Sequence, residues 1–240
     1  MSLNPWLDID ATSWRTSSEL FTAETGCADI NPGCIDMTPG WHQQGHHVGH
    51  LLYCQRYSIL TMSQGPGHNL NISRHLKLIT SAKPLWLLEA TESIALISAS
   101  MSILHPGLYA AGMQCMYLMS RKEPNADVRA MVAVWPSVFN AIQIIANREA
   151  PRHRDHRTRC EWFDILCTLG TYSSTNLLLD GLDLQLDYRP GTLVAISGRL
   201  LAHSVKRCPP DRVCYAFYMR DALHKRFVVE NPGWMKLTSL

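Results

Sequence analysis

Hydrophobic and polar positions change rhythm along this chain. Residues 1–82 show no sustained period, and Asn31-Pro32-Gly33, Pro39-Gly40 and Gly65-Pro66-Gly67 cut the apolar runs short. Such residues punctuate turns, so a loop-rich N-terminal wrap with one or two short strands is expected over 1–82. From Lys83 to Met119, Leu87, Leu88, Thr91, Ile94, Ala95 and Ser98 recur at three- and four-residue spacing, which predicts helix. His105-Pro106-Gly107 divides this buttress (83–119) into two helices, and a polar link, Ser120 to Asn125, follows. Over 130–228 short apolar runs bounded by turns predict strands. Gly191 to Ser197 reads as a strand, Gly198-Arg199 as a tight turn and Leu200 to Val205 as the returning strand. Beyond Cys208-Pro209-Pro210-Asp211, Arg212 to Arg220 reads as a further strand, whose alternation puts Arg212, Cys214, Ala216, Tyr218 and Arg220 on one face.

These segments predict an α+β protein, a double-stranded β-helix (jelly-roll or cupin-like) with helices packed on one outer face. The 240 residues suit one domain. An apolar fraction of 46% against 18% charged residues excludes a disordered chain. Asp8 and Asp10 argue against a secretory signal. Pro136, Asn140 and Gln143 interrupt the apolar stretch 130–146, so no membrane span is expected. Eight cysteines without a Cys-x-x-Cys pair point to reduced thiols in an intracellular protein. No obligate protein partner is evident.

Charge is uneven. Residues 1–70 hold six acidic side chains against Arg15 and Arg56, so with +2 overall the remainder carries +6. Its basic side chains gather in 148–159, 206–212 and 220–226. Local positive potential of this kind suits a polyanion, and ordinary solvated charge is the alternative reading.

Candidate chemistry centres on His153-Arg154-Asp155, followed 48 residues later by His203 and then by Arg212. Two imidazoles and one carboxylate on one face of an ion form the facial triad of non-haem Fe(II) oxygenases, with positions open for a co-substrate and O2. On a strand, residues i and i+2 share a side, so His153 and Asp155 can reach one ion and a distant His203 complete the set. Arg212 inside an apolar barrel requires a carboxylate partner, which a dicarboxylic co-substrate would supply. The alternative is a surface His–Asp pair with a core histidine. A second cluster, His42, His46 and His50, recurs every four residues, but Gly45 and Gly49 disfavour the helix that would converge it on zinc.

The run from about Phe139 to His224 resembles the 2-oxoglutarate and Fe(II) dependent dioxygenases, within them the TET and J-binding-protein class of nucleic-acid methyl oxidases, especially the short fungal members. Phe139 to Arg148, His153-Arg154-Asp155, Ile165 to Gly170, Arg189-Pro190-Gly191, His203 and Arg212 carry the resemblance. It implies Fe(II) on His153, Asp155 and His203, and 2-oxoglutarate with its far carboxylate on Arg212 and help from Arg148, for which a structural salt bridge with Glu149 or Asp164 is the alternative. It also implies base contacts at Arg220, where relatives often carry histidine, and at Thr158, where Asp or Asn is common. Asp221 and Tyr218 are further candidates against the base, Tyr218 with plain core packing as its alternative.

The resemblance implies oxidation of a methyl group on a DNA base, coupled to conversion of 2-oxoglutarate and O2 to succinate and CO2. A C5-methyl becomes hydroxymethyl and beyond, as from 5-methylcytosine to 5-hydroxymethylcytosine; an N-methyl, as in N6-methyladenine, leaves as formaldehyde. The base would be flipped out of the duplex into the pocket, and a DNA substrate implies nuclear residence. Two other readings stay open: a 2-oxoglutarate dependent hydroxylase of a protein or small molecule, and a non-catalytic nucleic-acid binding module.

Overall fold

The computed structural model describes residues 14–22, 30–40, 70–77, 85–156 and 158–236. The His42, His46 and His50 cluster lies outside them. Among these residues nine strands form two antiparallel sheets: β1 (Gly33–Met37), β2 (Ala141–Ala146), β3 (Ala150–His153), β4 (Asp164–Gly170), β5 (Asn176–Leu179), β6 (Leu184–Asp187), β7 (Leu193–Ile196), β8 (His203–Val205) and β9 (Arg212–Tyr218). One sheet has the order β1-β2-β9-β4-β7 and the other β3-β8-β5-β6. This is the double-stranded β-helix, with α1 (Leu85–Leu104), α2 (Pro106–Lys122), α3 (Ala126–Val134) and α4 (Asp221–Arg226) around it.

Strand alternation divides the large sheet into two chemistries. Outward, Met37, Ile142, Ile165, Cys167 and Phe217 pack with Leu87, Ile94 and Met101 of α1, Leu108, Cys115 and Met119 of α2, and Val128 of α3 in one apolar cluster. Removing that much apolar surface from water is the main force holding helices to sheet. Inward, register brings Tyr218 opposite Ala141 and Ala216 opposite Gln143 on one side of β9, and Cys214 opposite Thr168 and Arg212 opposite Gly170 on the other. The far end of the interior is closed by Leu177, Leu179, Tyr188, Ile196 and Val205.

Helix starts follow capping chemistry. His105 Nδ1 accepts from Leu108 N–H with Pro106 in the first turn of α2, and Asn125 Oδ1 accepts from Asp127 N–H at α3. The third helix occupies 126–134, beyond the expected polar link and running into the region where strands were expected from 130; its valines fit the apolar seam against α2 and the sheet, which overrides their weak helix preference. α4 was likewise unexpected. Buried Glu123 joins the helices to the chain around them, accepting from Leu70 N–H and from Arg226 Nη2 of α4.

The expected hairpin of 191–197 with 200–205 does not form. β7 pairs with β4 in the large sheet, whereas β8 pairs with β3 and β5 in the small one. The turn at Gly198 carries the chain between sheets. A second difference concerns α1: Trp86–Leu104 is long and apolar enough to cross a membrane, by length and composition. One stripe of it packs on the sheet, and Leu88, Leu96 and Ile103 are exposed.

Candidate metal centre

β3 ends on His153 and β8 begins on His203, and the two are direct partners in the ladder. Their ring centroids are 4.2 Å apart. Asp155 lies two residues beyond the end of β3, so it reaches the site from a loop and not, as expected, from the strand. Its N–H donates to Gly198 O at 2.9 Å, which aims the carboxylate at the imidazoles. His203 Nε2 stands 3.7 Å from Asp155 Oδ2, and His153 Nε2 3.9 Å from Asp155 Oδ1. One ligand atom from each of the three residues lies within 4.8 Å of the others.

The hydrogen bonds on the far side of the rings decide what these atoms can do. His153 Nδ1 faces Pro151 O at 2.8 Å and His203 Nδ1 faces Leu201 O at 3.1 Å. A carbonyl only accepts, so each Nδ1 carries a proton, and a neutral ring so held turns its Nε2 lone pair toward Asp155. Burial, reinforced by His203, pushes the His153 pKa down to about 4, so the ring is neutral near pH 7. Two imidazole nitrogens and a carboxylate converging on one point fit a divalent iron.

Arg148 and Arg212 come together in the interior, 5% and 3% exposed. Arg212 donates through Nη2 to Arg148 O. Asn147, in the left-handed region at φ 51°, holds both sides of the Arg212 backbone, accepting from its N–H through Oδ1 at 2.8 Å and donating to its carbonyl at 2.8 Å. Short polar Asn tolerates that conformation. The Nε of Arg148 and the Nε of Arg212 are buried without partners, and among the described residues no carboxylate reaches either guanidinium. Burial lowers the Arg148 pKa. Two adjacent buried cations of this kind make a seat for an anion.

The remaining candidates separate. Tyr218 and Arg220 form a pair, with Arg220 Nη2 donating to Tyr218 Oη at 3.2 Å and Arg220 N–H donating to Asn140 Oδ1. Asp221 is occupied: Arg159 Nε donates to it at 2.5 Å and Lys225 Nζ lies 2.6 Å away. Burial opposes its ionisation, yet the bonds from Lys225 and Arg159 hold its pKa below the usual carboxylate range. Thr158 is buried with its hydroxyl unpartnered. Much of the basic charge is also neutralised internally, since Arg152 pairs with Asp180, Arg207 with Glu149 and Arg226 with Glu123. The positive potential read from the sequence is reduced accordingly.

Sequence reasoning missed several residues here. Trp14 packs its ring 4.6 Å from that of His153, and Arg15 Nη2 lies 2.7 Å from Asp155 Oδ1. Asp164, fully inside the barrel, accepts from the N–H of Gly198; burial and then Asp155 raise its pKa well above the ordinary value. Inward Gln143 donates to Asp36 Oδ1 at 2.8 Å. No local pattern marks any of them, although alternation on β2 and β4 would have turned Gln143 and Asp164 inward.

The Tet_JBP family, described as the oxygenase domain of the 2OGFeDO superfamily, matches residues 74–221. No curated protein matches the chain. Among solved structures, NgTET1 in complex with 5mC DNA is similar at 13% identity and TM-score 0.44, over 65% of this chain and 57% of that one. The chain thus spans little over half the length of that protein. A Cupin 2 conserved barrel domain protein from Salinispora arenicola CNS-205 is similar at 17% identity and TM-score 0.26, over 37% of this chain and 69% of that one. An RmlC-like cupin protein from Desulfovibrio desulfuricans is similar at 18% identity and TM-score 0.25, over 32% and 70%.

Proposed function

Because this chain belongs to the Tet_JBP family, the oxygenase domain of the 2OGFeDO superfamily, we propose that it oxidises the methyl group of a methylated DNA base, using 2-oxoglutarate and O2. The observation that carries this reading is the convergence of His153, Asp155 and His203 beside two buried guanidiniums that lack a carboxylate. His153, Asp155 and His203 would hold Fe(II), Arg212 and Arg148 the far carboxylate of 2-oxoglutarate. When bound, iron supplies activation of O2 coupled to oxidative decarboxylation of the co-substrate. Arg212 and Arg148 orient that co-substrate along the interior, and the apolar floor of Leu177, Leu179 and Val205 keeps bulk water from its far end.

Tyr218 and Arg220 sit at the opposite end of β9 from Arg212 and are proposed to take the base. Tyr218 offers a ring face, and Arg220 offers donors suited to an acceptor edge. A base inside a duplex cannot reach such a pocket unless it is flipped. 5-Methylcytosine, oxidised to 5-hydroxymethylcytosine and beyond, and N6-methyladenine, demethylated, are the two substrates proposed. Nuclear residence follows from a DNA substrate.

The test is mass spectrometry of nucleosides after incubation with Fe(II), ascorbate, 2-oxoglutarate and duplex DNA carrying both bases, with Asp155→Ala as control. Loss of either base with the wild type alone supports the proposal and names the substrate. If neither changes while 2-oxoglutarate binds, a protein or small-molecule substrate replaces DNA, the reading that internal pairing of the basic side chains favours.

A further inference from the structure

Residues 14–22 form a strap along the edge of the barrel at 147–149. Glu149 N–H donates to Leu20 O and Thr22 N–H to Asn147 O, both at 2.7 Å, with Phe21 bridging Arg148 in between. Arg148 Nη1 in turn donates to Arg15 O at 3.2 Å. The strap is therefore fastened to the segment that carries Arg148, and its first turn (Trp14–Thr16) is placed against the metal centre.

Trp14 stands at the junction. Its indole is 7% exposed, lies 4.6 Å from the His153 ring and takes the Arg148 guanidinium at 5.0 Å from its centroid. Its Nε1–H is buried with no acceptor. The indoles of Trp135 and Trp162, also buried, donate to Phe139 O and to Asn231 Oδ1. Buried donors in folded chains almost always have partners, so the exception calls for one. Two further donors without partners follow along the chain of contacts: Nε of Arg148, whose guanidinium lies over the Trp14 ring, and Nε of Arg212, whose Nη2 donates to the backbone carbonyl of Arg148. Three unsatisfied N–H groups linked by successive contacts, two of them cationic, match a carboxylate. Trp14 lies outside residues 74–221, the segment the family matches.

We propose that Trp14 is a co-substrate-binding residue, its indole Nε1–H donating to the far carboxylate of 2-oxoglutarate beside Arg148 and Arg212, so that the N-terminal strap completes a pocket the barrel alone leaves open. This rests on the function proposed above. The carboxylate takes one charge-assisted bond from a neutral donor and more from the guanidiniums, and burial under the strap strengthens all of them.

The test uses Trp14→Phe, which keeps an aromatic ring beside His153 and removes the donor. 2-Oxoglutarate is titrated anaerobically into the Fe(II)-loaded chain, followed by the charge-transfer absorption of the chelate. 2-Oxobutyrate, which lacks the far carboxylate, is titrated in parallel. Trp14→Phe is expected to weaken 2-oxoglutarate about tenfold or more, with Fe(II) affinity and 2-oxobutyrate binding unchanged. Equal 2-oxoglutarate affinity in variant and wild type overturns the proposal, as does an equal penalty on 2-oxobutyrate, which would mark a packing role through His153. A wild type that binds Fe(II) but not 2-oxoglutarate overturns the functional reading itself. If the variant fails to fold, the wild type loaded with Zn(II) and labelled with 15N in its indoles answers the question: one indole N–H resonance should move on adding 2-oxoglutarate, and none moving overturns the inference.

Discussion

The backbone N–H of Asp155 donates to the carbonyl of Gly198 over 2.9 Å, tying the carboxylate that completes the triad to the turn between the two sheets. Gly198 is a glycine because there is no room for anything larger. A Cβ there would lie 2.8 Å from Asp164 Oδ2 and 2.9 Å from Asp155 Oδ2.

Gly198→Ala is therefore expected to push the Asp155 carboxylate off the imidazoles while leaving the fold intact. Outer contacts that orient a ligand are worth about 10- to 100-fold in metal affinity. Calorimetric titration of Fe(II) or Zn(II) measures it, and wild-type affinity in the variant would refute the role given to this turn.

Gly170 faces a harder limit. At φ +129° its Cβ would fall 1.9 Å from Asp211 O and 3.2 Å from Arg212 Cα, and no flexible side chain is there to yield. Gly170→Ala should cost roughly 3 kcal/mol or more, read by urea unfolding, and should displace the start of β9 with Arg212. A loss below about 1 kcal/mol would show that β9 shifts freely.

For Arg212, function and stability pull in opposite directions. Arg212→Met is expected to weaken 2-oxoglutarate by about 2 kcal/mol or more, the cost of losing one side of a buried charge pair. It should also leave the ligand-free melting temperature unchanged or raise it, because a buried cation with an unsatisfied Nε is replaced by apolar volume. A ligand-free protein that melts much lower would assign Arg212 to the scaffold instead.

His224 sets an acid limit on the fold. It is 2% exposed against Trp162, neither ring nitrogen has a partner, and burial lowers its pKa to about 4, with Asp221 partly opposing. Between about pH 6.5, where an unfolded histidine titrates, and pH 4, the unfolded chain binds the proton and the folded chain does not. Stability therefore falls as pH falls through that window. In the metal-free chain His153 adds to this with the same sign. Asp164 acts oppositely, since its raised pKa contributes stability that is lost as pH rises through it. His224→Leu should recover on the order of 3 kcal/mol at pH 4 relative to its effect at pH 7, measured by urea unfolding at both. An unchanged pH dependence would place the acid sensitivity elsewhere.

Read alone, the sequence determined what depends on near neighbours and on period. The candidate histidine ligands, Arg212 with its inward face and the helices broken at Pro106 were legible because strand alternation, turn residues and helical spacing are local properties; Asp155 was marked by its spacing from His153, although it reaches the site from a loop. The double-stranded β-helix followed from their order. It misread the 191–205 segment as a hairpin, since a turn looks the same whether the chain returns beside its strand or crosses to the other sheet; burial of β7 beside β4 decided that. It also left Trp14 and Arg15 in an unremarkable loop. Arg15 lies 140 positions from Asp155 in the chain, and such a contact exists only once the barrel has closed and the strap has paired with 147–149. Tertiary structure alone decided which buried donors lack partners, because that is a property of the packed interior and of no segment within it.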